Sequence, residues 1–137
     1  MAASNNELQI VWASAASKSV AAGAAEISDA ISFSATAIAA TVTLKADNEG
    51  TPASGDTVDF YALLSAGDPD GASTSEYAAV KEQGTFLARL NTYGTSFDPA
   101  VSTVRLDVSV GVKILAKSNA ASNAITVSAC INEKLAG

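Results

Sequence analysis

The sequence predicts an all-β fold: a single-domain, jelly-roll-like β-sandwich of about eight strands, with room for one short helix. Three observations lead there. Apolar residues recur at every second position over long stretches, the spacing of a strand with one buried face. The stretches are separated at short intervals by runs of Gly, Pro, Asn, Asp and Ser, the residues of turns. The chain is 137 residues long and 48% hydrophobic, enough for one core, and no internal repeat marks a second unit.

Residues 1–7 are polar or small and read as a flexible N-terminal arm, which leaves 8–137 as the sandwich domain. Leu8, Ile10 and Trp12 then alternate with Gln9 and Val11. The stretch "SAASKSVAAGAAE", 14–26, is Ala-rich and could be helical, although Gly23 and its serines oppose that. Ile38, Ala40, Val42, Leu44 and Ala46 keep one phase, with Thr41, Thr43 and Lys45 on the other. "DNEGTPASGD", 47–56, is a loop, and Val58, Phe60, Ala62 and Leu64 resume alternation opposite Asp59 and Tyr61. "AGDPDGASTS", 66–75, is a second loop. A turn of helix fits between an N-cap at Ser75 and a stop at Gly84, followed by a strand over Thr85–Leu90. "NTYGTSFDPA", 91–100, is a third loop.

Val104, Leu106, Val108, Val110, Val112, Ile114 and Ala116 hold a single phase, with Arg105, Asp107, Ser109, Lys113 and Lys117 opposite. "KSNAASNA", 117–124, reads as a hairpin. It leads to Ile125, Val127, Ala129 and Ile131, with Thr126, Ser128 and Asn132 on the other face.

Charged residues make up only 16% of the chain, against roughly a quarter in ordinary soluble domains. Ala, Ser and Thr take their place. Charge is depleted where surface is buried against partners, so the composition suits an assembly. The net charge of −6 is concentrated between Ala46 and Val80, which hold Asp47, Glu49, Asp56, Asp59, Asp68, Asp70 and Glu76 and no Lys or Arg. That suggests one solvated acidic end, and it opposes nucleic-acid binding, which needs a basic stripe.

Histidine is absent, which removes Ser-His-Asp and Cys-His catalysis and histidine metal sites. The single cysteine, Cys130, allows no intramolecular disulfide and reads as a small strand residue. No GxxxxGK[ST] or GxGxxG pattern occurs. Carboxylate chemistry would have to come from Asp56, Asp59, Asp68, Asp70 and Glu76, which are close only in sequence. A small sandwich leaves little room for a substrate cleft, so no enzyme and no cofactor are expected. "DPDG", Asp68–Gly71, is a β-turn string, and Asp68 and Asp70 supply only half of a calcium site. Aromatic residues are sparse for a sugar platform, although Tyr61, Tyr77 and Tyr93 could sit near loops. No N-terminal stretch has the form of a secretory signal and no apolar run is long enough to span a membrane. A protein made and used without secretion is the expectation.

Two stretches, "ATVTLKADNEGTPASGDTVDFYALLSAGDPDG" and "KILAKSNAASNAITVSACINEK", resemble structural proteins of tailed bacteriophages. The nearest type is the jelly-roll decoration, or cement, protein that binds the outside of a capsid. The resemblance implies a non-enzymatic virion protein on the capsid exterior, made in the host bacterial cytoplasm. Its partners would be the major capsid protein and further copies of itself, as a dimer or trimer, with no nucleic acid and no membrane. Such a protein stabilises the shell by mass action and through many symmetric contacts. Candidate contact residues are Asn5, Asn6 and Glu7 of the arm, and Tyr77, Tyr93 and Phe97 near loops. The alternatives are a tail or head-fibre domain, or a calcium- or carbohydrate-binding sandwich module.

Overall fold

The computed structural model describes residues 4–66, 70, 76–94, 99–108 and 111–136. Among these, nine strands form two antiparallel sheets that face each other: β1 (Ser4–Gln9), β2 (Lys18–Val20), β3 (Ala25–Ile27), β4 (Ala37–Asn48), β5 (Thr57–Leu64), β6 (Thr85–Asn91), β7 (Ala100–Leu106), β8 (Val112–Ser118) and β9 (Ile125–Leu135). One sheet has the order β1-β9-β4-β7, with β2 beside β1 on the same edge of β9. The other runs β3-β8-β5-β6.

The pairing is nested. β5 pairs β6, β4 pairs β7, β3 pairs β8, and β2 pairs β9, alternately in one sheet and the other. A long hairpin rolled up in this way is the jelly roll. Nine strands fill eight places because the first place is divided between β1 and β2.

The core lies where the inward phases meet. Val42, Leu44, Val127 and Ile131 from one sheet, and Val58, Phe60, Ile114 and Ala116 from the other, are all fully buried. Trp12 closes the space near the first turn. That turn, Trp12–Ala15, has both central residues in the left-handed region, Ala13 at φ 51° and Ser14 at φ 71°. Their N–H groups donate to the Asp29 carboxylate at 3.3 and 3.2 Å, which offsets part of the strain.

Several local expectations change in three dimensions. The described part of the presumed arm, from Ser4, is β1, held by β9 from Ser4↔Leu135 to Gln9↔Cys130. The Ala-rich stretch 14–26 is no helix but contains the short strands β2 and β3, which turn at Gly23 (φ 71°) and gain their backbone partners from β9 and β8. Before Gly84 there is a single 3-10 turn, Lys81–Gln83, preceded by Val80; the expected N-cap, Ser75, lies outside the described residues. The even phase from Val104 to Ala116 is two strands in opposite sheets; it persists because β7 and β8 turn their apolar sides to one core. For the same reason 117–124 is a crossover between sheets and not a hairpin.

A second, smaller apolar contact lies outside the sandwich. Leu63 and Leu115 alternate with core residues and so point outward, yet both are buried. The segment through Gly84 packs on them: a Cβ added at Gly84 would lie 2.9 Å from Leu63 Cδ2.

Candidate interaction surface

The acidic interval does not form one solvated end. Asp56 and Asp59 are buried and each is committed to holding loops. Asp56 Oδ2 accepts bonds from Asn48 Nδ2 (2.9 Å), the Ala53 N–H (3.0 Å) and Asn123 Nδ2 (3.1 Å), while its carbonyl accepts from Thr92 Oγ1 (2.8 Å). It therefore joins the end of β4, the following loop, the β6–β7 connection and the β8–β9 crossover. Burial alone would raise its pKa, but the three bonds together outweigh that and hold it below the usual value.

Asp59 lies on the outer face of β5 and receives both Arg89 Nε (2.6 Å) and Nη2 (2.9 Å) from β6, as well as Asn119 Nδ2 at 3.2 Å. The Arg89 bonds lower its pKa against the effect of burial. Glu133 is inward-facing and buried near the end of β9. It accepts from Asn6 Nδ2 at 2.9 Å and from both the N–H and the hydroxyl of Ser34. Burial opposes its ionisation, and the Ser34 and Asn6 bonds overcome that and keep the carboxyl low. Asp47 and Glu49 remain exposed, and Glu49 accepts from Ser19 and Thr126.

The expected contact residues do not converge. Asn5 and Glu7 are exposed on β1, whereas Asn6 points inward to Glu133. Tyr77 pairs with Ser65 just beyond the end of β5, under Lys113 Nζ at 4.7 Å from the ring centre. Tyr93 follows Asn91, which pairs with Thr57 at the start of β5, so the two tyrosines lie at opposite ends of that strand. Phe97 and Asp68 lie outside the described residues; Asp70 is exposed. Among the described residues no group of three or more His, Cys, Asp or Glu side chains converges as metal ligands. Also among them, no helix is long and apolar enough to cross a membrane.

What the topology does assemble is the outer face of the β1-β9-β4-β7 sheet. Antiparallel register places Thr41 beside Asn132, Thr43 beside Cys130 and Thr103, and Arg105 beside Thr41. Thr43 and Thr103 hydroxyls share a 2.9 Å hydrogen bond. Short neutral side chains at Thr41, Thr43, Thr103, Ser128 and Asn132 share this face with Glu7, Lys45, Arg105 and Lys134. Cys130 sits among them half-buried, its thiol pKa raised by burial and by the Glu7 charge.

At one end this face dips into a shallow groove of about 400 Å³, lined by Asn5, Ala39, Ala40, Thr41, Arg105, Asn132 and Lys134. No acid lines it, and neither cation makes an ion pair among the described residues. The sequence carries the signal for these residues, since Thr41, Arg105 and Asn132 occupy the polar phases of three strands. Only the strand order makes them neighbours.

No protein-family model and no curated protein sequence matches the chain. Among solved structures it is similar to a family GH115 4-O-methyl-α-glucuronidase with specificity for decorated arabinogalactans. The TM-score is 0.45 at 13% identity, over 93% of this chain and 16% of the enzyme's length. The chain thus spans about a sixth of that protein, and a likeness of this degree carries no argument about activity.

Proposed function

We propose that the chain is a non-enzymatic bacteriophage virion protein that decorates and stabilises a capsid, docking through the outer face of its β1-β9-β4-β7 sheet. The supporting observation is the make-up of that face: Thr41, Thr43, Thr103, Ser128 and Asn132 present short hydrogen-bonding side chains on a rigid sheet, with the charged Glu7, Lys45, Arg105 and Lys134 around them. Short side chains lose little rotamer entropy on contact. The carboxylates that could have served chemistry at Asp56 and Asp59 are bound into structural networks, which suits a scaffold role. The resemblance of the β4–β5 and β8–β9 stretches to decoration proteins supplies the partner, the major capsid protein.

The test is co-sedimentation with mature, undecorated capsids. Saturable binding at a fixed ratio to capsid subunits, weakened by Thr41→Arg or Asn132→Arg, is the expected result. Absence of binding, with the protein at low copy in intact virions, would instead favour a tail or head-fibre domain.

A second reading rests on the groove. Arg105 and Lys134 flank Asn5, Thr41 and Asn132, a donor set suited to the carboxylate and hydroxyls of an acidic sugar. No aromatic side chain lines the groove to stack on a sugar ring. Binding of acidic oligosaccharides that Arg105→Ala abolishes would select this reading over capsid docking.

A further inference from the structure

We propose that two copies of the chain join through β7, antiparallel about a two-fold axis at Thr103, so that the sheet continues from one copy into the other. The inference concerns the free protein and does not rest on the virion reading.

β7 ends its sheet. It pairs with β4 without a bulge over seven residues, from Ala40↔Leu106 to Ala46↔Ala100. Along its other side no backbone hydrogen bond is made among the described residues. An edge of this kind presents a row of unpaired N–H and C=O groups and is a template for another strand.

β7 is the longest edge strand that pairs without a register shift, ahead of the six residues of β1. β2 and β3 are three residues each, and the β1/β2 edge is interrupted by the turn at Trp12–Ala15. β6 has a register shift opposite Phe60 and Tyr61. β7 contains no proline and a single charge, Arg105, and its Val101 side chain is 60% exposed.

The occupant follows from the strand's own sequence. Antiparallel pairing about Thr103 sets Val101 against the partner's Arg105, Ser102 against the partner's Val104, and Thr103 against its own copy. No charge meets a like charge, and the Arg105 stem can cover the exposed valine. This register uses all seven residues of β7. Moving it by two residues in one direction sets Arg105 against Pro99, which has no N–H; in the other it leaves Ala100 and Val101 beyond the partner strand.

The test is the concentration dependence of mass by light scattering and analytical ultracentrifugation, on the full chain and on charge variants of exposed positions. The expected result is a reversible dimer. Val101→Lys should weaken it tenfold or more, since it creates two like-charge pairs at once, about 1.4 kcal/mol for that tenfold change. Val101→Glu should tighten it, and Val101→Lys with Arg105→Glu should restore it. Far-ultraviolet circular dichroism matching wild type would show that each variant is folded. A monomer at every concentration overturns the proposal, as does a dimer indifferent to Val101→Lys. A dimer lost equally with Lys and Glu overturns the register. A monomer that gains mass only on addition of capsid protein assigns the edge to a different chain and also overturns it.

Discussion

Replacement of Asp56 should be among the most damaging single changes outside the apolar core. Asp56 is 2% exposed, and its carboxylate accepts three hydrogen bonds from three separate segments. Hydrogen bonds to an ionised group contribute about 1.5–3 kcal/mol each. In Asp56→Ala the donors do not all remain orphaned, because Asn48 keeps Thr92 and Asn123 keeps the Thr51 carbonyl. A net loss of about 3–5 kcal/mol follows from that partial compensation. A chain of this length has an unfolding entropy of about 0.29 kcal/mol/K, so the melting temperature should fall by about 10–17 °C.

Asp56→Asn keeps the shape and can keep three neutral bonds, at about half the strength, for a loss of about 2 kcal/mol. Thermal unfolding at neutral pH, followed by fluorescence of Trp12, the single tryptophan and 1% exposed, measures both. The pH dependence has a definite sign. The folded pKa lies below that of an ordinary aspartate, so the native state binds fewer protons than the unfolded chain in the acid range where aspartate titrates. The stabilisation is present above the unfolded pKa and fades as pH falls through the folded one. The gap between wild type and Asp56→Asn should therefore narrow in acid. A melting temperature for Asp56→Ala within about 2 °C of wild type would refute the reasoning, since it would mean less than ~1 kcal/mol from all three bonds.

Three further outcomes are expected. Glu133→Ala should raise hydrogen exchange in β1 and cost about 2–4 kcal/mol, because Asn6 and Ser34 lose their buried acceptor; Glu133→Gln should cost less. Gly84→Ala should destabilise by about 1–3 kcal/mol in denaturant titration, since the new Cβ would stand 2.9 Å from Leu63 Cδ2 and 3.1 Å from the Ala62 carbonyl. Ala13→Gly should raise the unfolding free energy from the same titration by about 1 kcal/mol, because a left-handed φ of 51° is strained for alanine and not for glycine.

Strand positions, and the all-β class with them, were legible in the sequence because alternation is a local property. A side chain at every second residue faces the core whichever strand lies beside it, so Val42, Phe60, Ile114 and Ile131 declare themselves. The polar phases were equally legible, and Thr41, Thr43, Arg105 and Asn132 could be assigned to an outer face before any neighbour was known. Period-two patterning does not say which sheet a strand joins. That is why the run from Val104 to Ala116 concealed a crossing between sheets, and why 117–124 resembled a hairpin.

Tertiary structure alone decided the remainder, because it depends on contacts distant in sequence. An Ala-rich stretch with helical propensity became β2 and β3 once β9 and β8 offered backbone partners. An acidic interval that looked solvated was divided when Asn123 and Arg89, from two other segments, arrived to bond Asp56 and Asp59. The seven residues of β7 acquired a free edge only because the nested pairing placed them last in their sheet. Local chemistry determined what each segment could do, and the order of the strands determined which of those possibilities the protein uses.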